Sequence, residues 1–213
     1  MGAFLSQYGS AMGTLTLEHL WLTGSAMLIA ALIGIPTGIV LTRYGRLAKP
    51  VLGVANVLQT IPSLALFGFL LPLPWLGESA ARIAIVALTA YALLPIIRNT
   101  YAGIQGIDPG IIDVAKAIGM SDVQRLVKVE LPLSAAFILA GLRTATVICV
   151  GIATIAAAVG AGGLGELIFR GVASVDNRLV LAGALPAAAL ALAADGLLGV
   201  LERWVTVPSA RRP

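Results

Sequence analysis

The stretch LWLTGSAMLIAALIGIPTGIVLT, residues 20–42, carries no charged side chain. A bilayer core is about 30 Å thick, and a helix that spans it needs roughly 20 mostly apolar residues. Such a helix closes its own backbone hydrogen bonds, which lipid cannot do for it. Four further stretches are long and mostly apolar, at about residues 51–72, 80–97, 133–159 and 179–201. Residues 1–213 therefore read as one all-α membrane domain of five spans. Composition agrees: 59% of the residues are hydrophobic and only 11% charged. That is too little charge to clothe a soluble exterior. The opening residues MGAFLSQYGSAMGTLTLEHL contain no Lys or Arg, and they read as no cleavable signal peptide.

The net charge of +4 would suggest nucleic acid in a soluble protein. Here the basic residues sit in short segments beside apolar runs, which is how membrane topology is set. Arg43, Arg46 and Lys49 follow the first span. Arg98, Lys116, Arg125 and Lys128 lie around the segment between the third and fourth, and Arg203, Arg211 and Arg212 follow the fifth. Five spans put all three groups on one face, leaving Arg82, Arg170 and Arg178 on the other. Cytoplasmic loops carry the positive excess. The expected N-terminus is therefore outside and the C-terminus inside.

The chain holds one cysteine, Cys149, and one histidine, His19. No intrachain disulfide and no metal-ligand set is expected. The same inventory disfavours an intramembrane enzyme. Glu18 and His19 just before the first span, and Trp21, Trp75 and Trp204 near span ends, read as interfacial residues. A G-x-x-x-x-G-K-[ST] phosphate loop is absent, as is any Gly-Lys dipeptide. ATP hydrolysis would fall to another polypeptide. Pro36, Pro62, Pro95 and Pro186 are expected to kink their spans. Gly34 and Gly38 form a small-x-x-x-small pair suited to close helix contact.

Residues 113–132, DVAKAIGMSDVQRLVKVELP, form a charged island in this apolar chain. Asp108 before Pro109 suits an N-cap followed by proline at the first helical position. The helix should run to about Ile118 and end at Gly119. Ser121 should cap a second helix through Gln124, Leu126 and Val127 to Leu131, with Pro132 opening the fourth span. Ile111, Ile112, Ala115 and Ile118 share one face, and Asp113 and Lys116 lie towards the other. Periodicity fits two readings equally: a docking element, and an interfacial helix resting on headgroups.

Polar residues inside the spans are candidates for a translocation pathway or gate. Arg143 and Asp195 lie at similar depth, where they pair as an inter-helix latch or else meet water separately. On the second span, Asn56, Gln59 and Ser63 follow i, i+3, i+7 spacing beside Thr60. They read as the wall of a polar path opened by the Pro62 kink, or as interhelical hydrogen-bond glue. GAGGLGE, residues 160–166, is too rich in glycine for a helix start and too apolar for an ordinary loop. It reads as a re-entrant turn on the outer side, holding Gly162 and Gly163, with Glu166 one helical turn from Arg170, or as a flexible connector.

The island resembles the EAA loop of ATP-binding-cassette (ABC) importer permeases. That loop reads Glu-Ala-Ala, three residues, Gly, nine residues, Ile, one residue, Leu-Pro. The counterparts are Asp113-Val114-Ala115, Gly119, Val129 and Leu131-Pro132, with Asp for Glu, Val for Ala and Val for Ile. ANVLQTIPSLALFGFL (55–70), YALLPIIRNTYAGIQGIDP (91–109), AGLRTATVICVGIATIAAAVGAGGLGELIFRG (140–171) and EHLWLT (18–23) are similar to one subgroup. That subgroup is the permeases of glycine betaine/carnitine/choline (osmoprotectant) importers, and the likeness covers about residues 14–203.

This resemblance implies the five-span type I importer fold (MetI-like), with a cytoplasmic coupling helix in a loop at 105–132. It implies that Asp113, Ala115, Lys116, Gly119, Leu131 and Pro132 engage cytoplasmic ATPase subunits, which hold the ATP and Mg. No catalytic residue and no cofactor is expected on this chain. It further implies a second permease, identical or related, and an extracytoplasmic substrate-binding protein. The expected role is a permease subunit that moves a small quaternary-ammonium osmoprotectant across the cytoplasmic membrane of a prokaryote. An importer for another small solute, such as an amino acid, is the alternative. A passive channel or scaffold leaves the loop spacing unexplained.

Overall fold

The computed structural model describes residues 2–76 and 79–205; for residues 2–7 and Trp75 it describes the backbone alone. Arg211, Arg212 and the Trp75 side chain lie outside the described residues. The chain is helical almost throughout. In order come α1 (Gly2–Arg43), α2 (Gly45–Thr60), α3 (Ser63–Leu70), α4 (Ala80–Gln105), α5 (Pro109–Ala117), α6 (Asp122–Arg125), α7 (Leu131–Ala156), α8 (Gly165–Ser174) and α9 (Asn177–Val205). Four helices are long and apolar enough to cross a membrane, and α2 with α3 makes a fifth if the bent pair counts as one span.

The core sits around α4, the most buried of the long helices. Ile83, Ala84, Ala87, Leu88 and Ile96 of α4 pack against Leu22, Ala26 and Ala30 of α1 and against Ala145, Cys149 and Ala153 of α7. Outward-facing positions are apolar instead of polar: Leu32 is 67% exposed and Leu192 73%. In water such a surface would aggregate; against lipid tails it costs nothing. A second, smaller core joins Leu15 of α1 to Leu164, Leu167, Ala182 and Ala187. It exists because α1 begins near Gly2, well before the apolar stretch at residue 20.

The expected kink at Pro62 is a near-complete break. Helices α2 and α3 meet at 99°. Ile61 takes extended dihedrals, φ −68° and ψ 126°, because a following proline disfavours the helical region for it. The break separates residues that the sequence pattern places on one face. Asn56 and Gln59 remain on α2, while Ser63 begins α3 in a new direction. Pro36, Pro95 and Pro186 lie inside continuous helices.

Two of these proline defects repair each other. Pro95 has no N–H, so the Tyr91 carbonyl loses its helical partner. Gln59 Nε2 donates to that carbonyl at 2.9 Å. The break at Pro62 strips the Ile61 carbonyl in turn, and the Tyr91 hydroxyl donates to it. Gln59 thereby links α2 to α4 through a hydrogen bond.

The other departure concerns Pro132. The sequence suggests a fresh helix there, but the helix is continuous from Asp122 to Val159. Leu126–Glu130 form one wide π-turn, in which the Leu131 N–H reaches back to the Leu126 carbonyl. Pro132 falls in the first turn of α7 beyond it, so the wider turn absorbs the missing donor without ending the helix.

Glycines set the α1–α4 distance. A Cβ added at Gly38 would lie 2.6 Å from Thr100 Cβ and 3.0 Å from the Ile97 carbonyl oxygen. At Gly34 it would lie 2.8 Å from Ile96 Cγ2. Replacing Gly38 with Val should therefore destabilise the bundle by about 1–3 kcal/mol, the usual range for overpacking. Gly53→Ala, where nothing lies within 4 Å, should leave it unchanged. Thermal unfolding of the detergent-solubilised variants checks both.

Candidate functional site

The island folds as a pair of short, locally capped helices. Asp108 Oδ1 accepts from the Gly110 N–H at 2.7 Å, with Pro109 at the first helical position. At the far end Gly119 adopts φ +81°. The Gly119 N–H donates to the Lys116 carbonyl at 2.9 Å and the Met120 N–H to the Ala115 carbonyl at 3.1 Å. This is a glycine-terminated Schellman end. Ser121 then starts α6 with a reciprocal capping box: its N–H donates to Gln124 Oε1 at 2.9 Å, and the Gln124 N–H donates to Ser121 Oγ at 3.3 Å. Local hydrogen bonds therefore define both ends of α5 and the start of α6.

The proposed apolar face of α5 is split by the fold. Ala115 is buried and Ile112 half-buried, while Ile111 and Ile118 turn outward with Val114. Val114 is 63% and Ile118 68% exposed. Val123 and Val127 continue the exposed apolar strip onto α6 and the π-turn. Asp113 and Lys116 pair at 3.3 Å at the surface. Leu131 is half-buried and Pro132 exposed. A small residue is needed at 115 because that position faces the bundle.

Behind this segment lies an ionic knot that sequence reasoning missed. Glu130 is only 2% exposed. Its Oε1 accepts from Arg125 Nε at 2.9 Å and from Arg43 Nη1 at 3.2 Å. Its Oε2 accepts from Arg43 Nη2. Arg125 also pairs with Asp122 at 2.8 Å. Arg43 is the last residue of α1. The signal was present: a glutamate directly before an apolar span, with arginines at the ends of neighbouring elements. Arg43 and Arg125 had been read for topology alone.

Within the spans, Arg143 and Asp195 are brought together. Arg143 Nη2 donates to Asp195 Oδ2 at 2.7 Å, and its Nε donates to Oδ1. The fork is bidentate. Arg143 Nη1 lies 3.5 Å from Glu202 Oε2. These three charges sit on a groove of about 400 Å³ between α7 and α9, lined also by Ala140, Thr144 and Val147. Asn56 of α2 is exposed.

The glycine turn is ordered, and it is fixed from α1. Gly160, Gly162 and Gly163 all take positive φ, between 80° and 84°. The Gly163 N–H donates to Glu18 Oε2 at 3.0 Å. A Cβ on Gly162 would lie 2.6 Å from that same oxygen. Glu166 opens α8, half-buried, with its N–H closing on the Gly163 carbonyl at 3.0 Å, and Arg170 lies one turn further on. His19, expected at the membrane interface, is fully buried instead. Its Nε2 lies 3.1 Å from the Val150 carbonyl of α7. The reason is that α1 begins at Gly2 instead of near residue 20, so His19 lies well inside the helix and faces α7.

Together these features define a polytopic helical membrane protein whose connecting segment presents an exposed apolar strip. The chain belongs to the family of binding-protein-dependent transport system inner membrane components, whose profile matches residues 20–207. It is 46% identical over 204 residues to the "glycine betaine/carnitine/choline transport system permease protein OpuCD" of Bacillus subtilis, covering 95% of this chain and 88% of that protein. It is 42% identical to the "osmoprotectant import permease protein OsmW" of Salmonella typhimurium, with 94% of each covered. The fold matches a permease chain of the inward-facing MetNI methionine ABC transporter with TM-score 0.80 at 24% identity, over 90% of this chain and 94% of that one. The type I permease fold is thus established.

Two predictions follow from this geometry. Asp195→Asn and Arg143→Gln should each lower solute uptake, and exchanging the two residues should recover part of it, as measured in intact cells. Gly163→Val forces an L-residue to φ +81°, a strain of about 1–2 kcal/mol. It should impair uptake while leaving co-purification of partner subunits intact.

Proposed function

We propose that this chain is the membrane-spanning subunit of an ABC importer that moves small quaternary-ammonium osmoprotectants such as glycine betaine, carnitine or choline. The observation that carries this reading is identity of 40–46% over nearly the whole chain to permeases whose names state those solutes. The site geometry fits the role. The exposed strip of α5 and α6 is the docking face for a cytoplasmic ATPase pair, which binds ATP and Mg and hydrolyses the nucleotide. The Gly119 end keeps α5 a short rigid piece. A second permease, identical or related, completes the pathway, and an extracytoplasmic binding protein delivers the cargo.

The N-terminus lies outside and α5 inside, as the placement of Arg43, Arg46, Lys49, Lys116, Arg125 and Lys128 supports. Asp195, the carboxylate deepest in α9, is already neutralised by Arg143. A cationic headgroup would therefore meet no unpaired Asp195 carboxylate there. Selectivity can rest with the binding protein while the permease keeps a weakly polar wall.

The test is reconstitution of the permease with its ATPase and binding protein in liposomes. Uptake of labelled glycine betaine, carnitine and choline is compared with that of methionine. The expected result is accumulation of at least one quaternary ammonium that stops without ATP. Uptake that persists without ATP would mark a channel. Accumulation of methionine alone would reassign the cargo.

A further inference from the structure

The knot at Glu130 stands where three elements converge. It is the last residue of the π-turn, the entry to α7. Arg125 reaches it from α6, five residues earlier. Arg43 reaches it from the end of α1, 87 residues away in sequence. A carboxylate this buried is held only by its partners, since an unpaired charge there would cost several kcal/mol. It takes both, and Oε1 is shared between them. A cavity of about 260 Å³ adjoins it, lined by Arg43, Ile112, Asp113, Lys116 and Glu130. The space beside the knot is therefore where α5 meets the bundle.

The covalent routes out of α5 are short links outside the helices. On one side Gly106–Asp108 join it to α4, and on the other Ile118–Ser121 join it to α6. Beyond α6 comes the π-turn, whose wider register is a natural place for a helix to bend. A push on α5 would be absorbed at that turn unless something braces it. The Glu130 carboxylate is that brace. Its bidentate link to Arg43 ties the turn to the end of α1, a helix that spans the whole bundle.

We infer that Glu130 is the positioning residue that carries displacement of the α5–α6 segment into α1, with the Arg43 fork as the joint. This rests on the reading above, in which α5 docks on an ATPase. The joint is a device of transmission: it binds neither solute nor nucleotide. Its loss should therefore separate ATP hydrolysis from transport without detaching the motor.

The experiment measures solute moved per ATP hydrolysed by the reconstituted complex, together with ATPase co-purification and thermal stability. Arg43→Gln is the primary variant, because it leaves Glu130 paired with Arg125. Glu130→Gln is the second. For Arg43→Gln, attachment and hydrolysis should stay at wild-type levels while solute per ATP falls about fivefold, within the range of coupling-network mutations. Arg43→Lys keeps the charge without the fork and should recover part of the ratio.

An unchanged ratio in Arg43→Gln would overturn the inference. So would a loss of transport matched by equal loss of ATPase attachment, because the knot would then only hold the fold. If Glu130→Gln does not fold, the Arg43 pair of variants decides alone. A wild-type complex that binds no ATPase would overturn the importer reading, and the joint with it.

Discussion

Every backbone donor and acceptor in a bilayer must find its partner inside the protein, and the rest of this structure depends on that constraint. Proline makes it acute, because each one inside a span orphans a carbonyl. The exchange between Gln59, Tyr91 and Ile61 shows the solution. One side chain on α2 supplies the donor that Pro95 removes from α4. One hydroxyl on α4 supplies the donor that the Pro62 break removes from α2. A bend of 99° would be intolerable in lipid without this reciprocity. With it, the bend becomes a rigid feature that locks the second span to the central helix. Gln59 and Tyr91 are thus structural counterparts of the prolines.

The same economy governs close packing. Lipid tails are as apolar as leucine, so helices do not associate to escape water and must gain from fit. Glycine provides the fit at α1–α4 through Gly34 and Gly38. It does so at α4–α7 through Gly103 and Gly141, where an added Cβ would meet Phe137 and Asn99 respectively. Large apolar residues are left to the outside. The charged residues are concentrated where water or protein can satisfy them, at Glu130 and along the α7–α9 groove.

Local chemistry made much of this legible in the sequence. The caps at Asp108, Gly119 and Ser121 are written in adjacent residues, and the island folds as they dictate. The apolar stretches located the long helices, and the EAA-like spacing carried the family. What lay hidden was long-range. The charges that meet at Glu130 stand in the sequence, but which arginines reach it does not, and nothing near His19 announces Val150, because these pairings depend on how helices stack. Periodicity misled at Asn56, Gln59 and Ser63, since it assumes a helix that Pro62 interrupts. The Arg143–Asp195 pair was foreseeable from depth alone, but sequence could not choose between pairing and separate solvation. Packing of α7 on α9 made the choice.

These long-range ties have a mechanical consequence. Helices α1 and α7 run antiparallel and are pinned at both ends. At one end Arg43 grips Glu130; at the other Glu18 holds the Gly163 N–H and His19 meets the Val150 carbonyl. Glu18 and Arg43 are separated by about 37 Å of helix at ~1.5 Å per residue. Two rods joined at both ends cannot slide past one another without breaking a buried polar contact. They can tilt together at no such cost. Because Arg143 joins α7 to Asp195 of α9, a tilt of this frame must carry α9 with it or break the fork. The polar contacts therefore oppose sliding of α1 against α7.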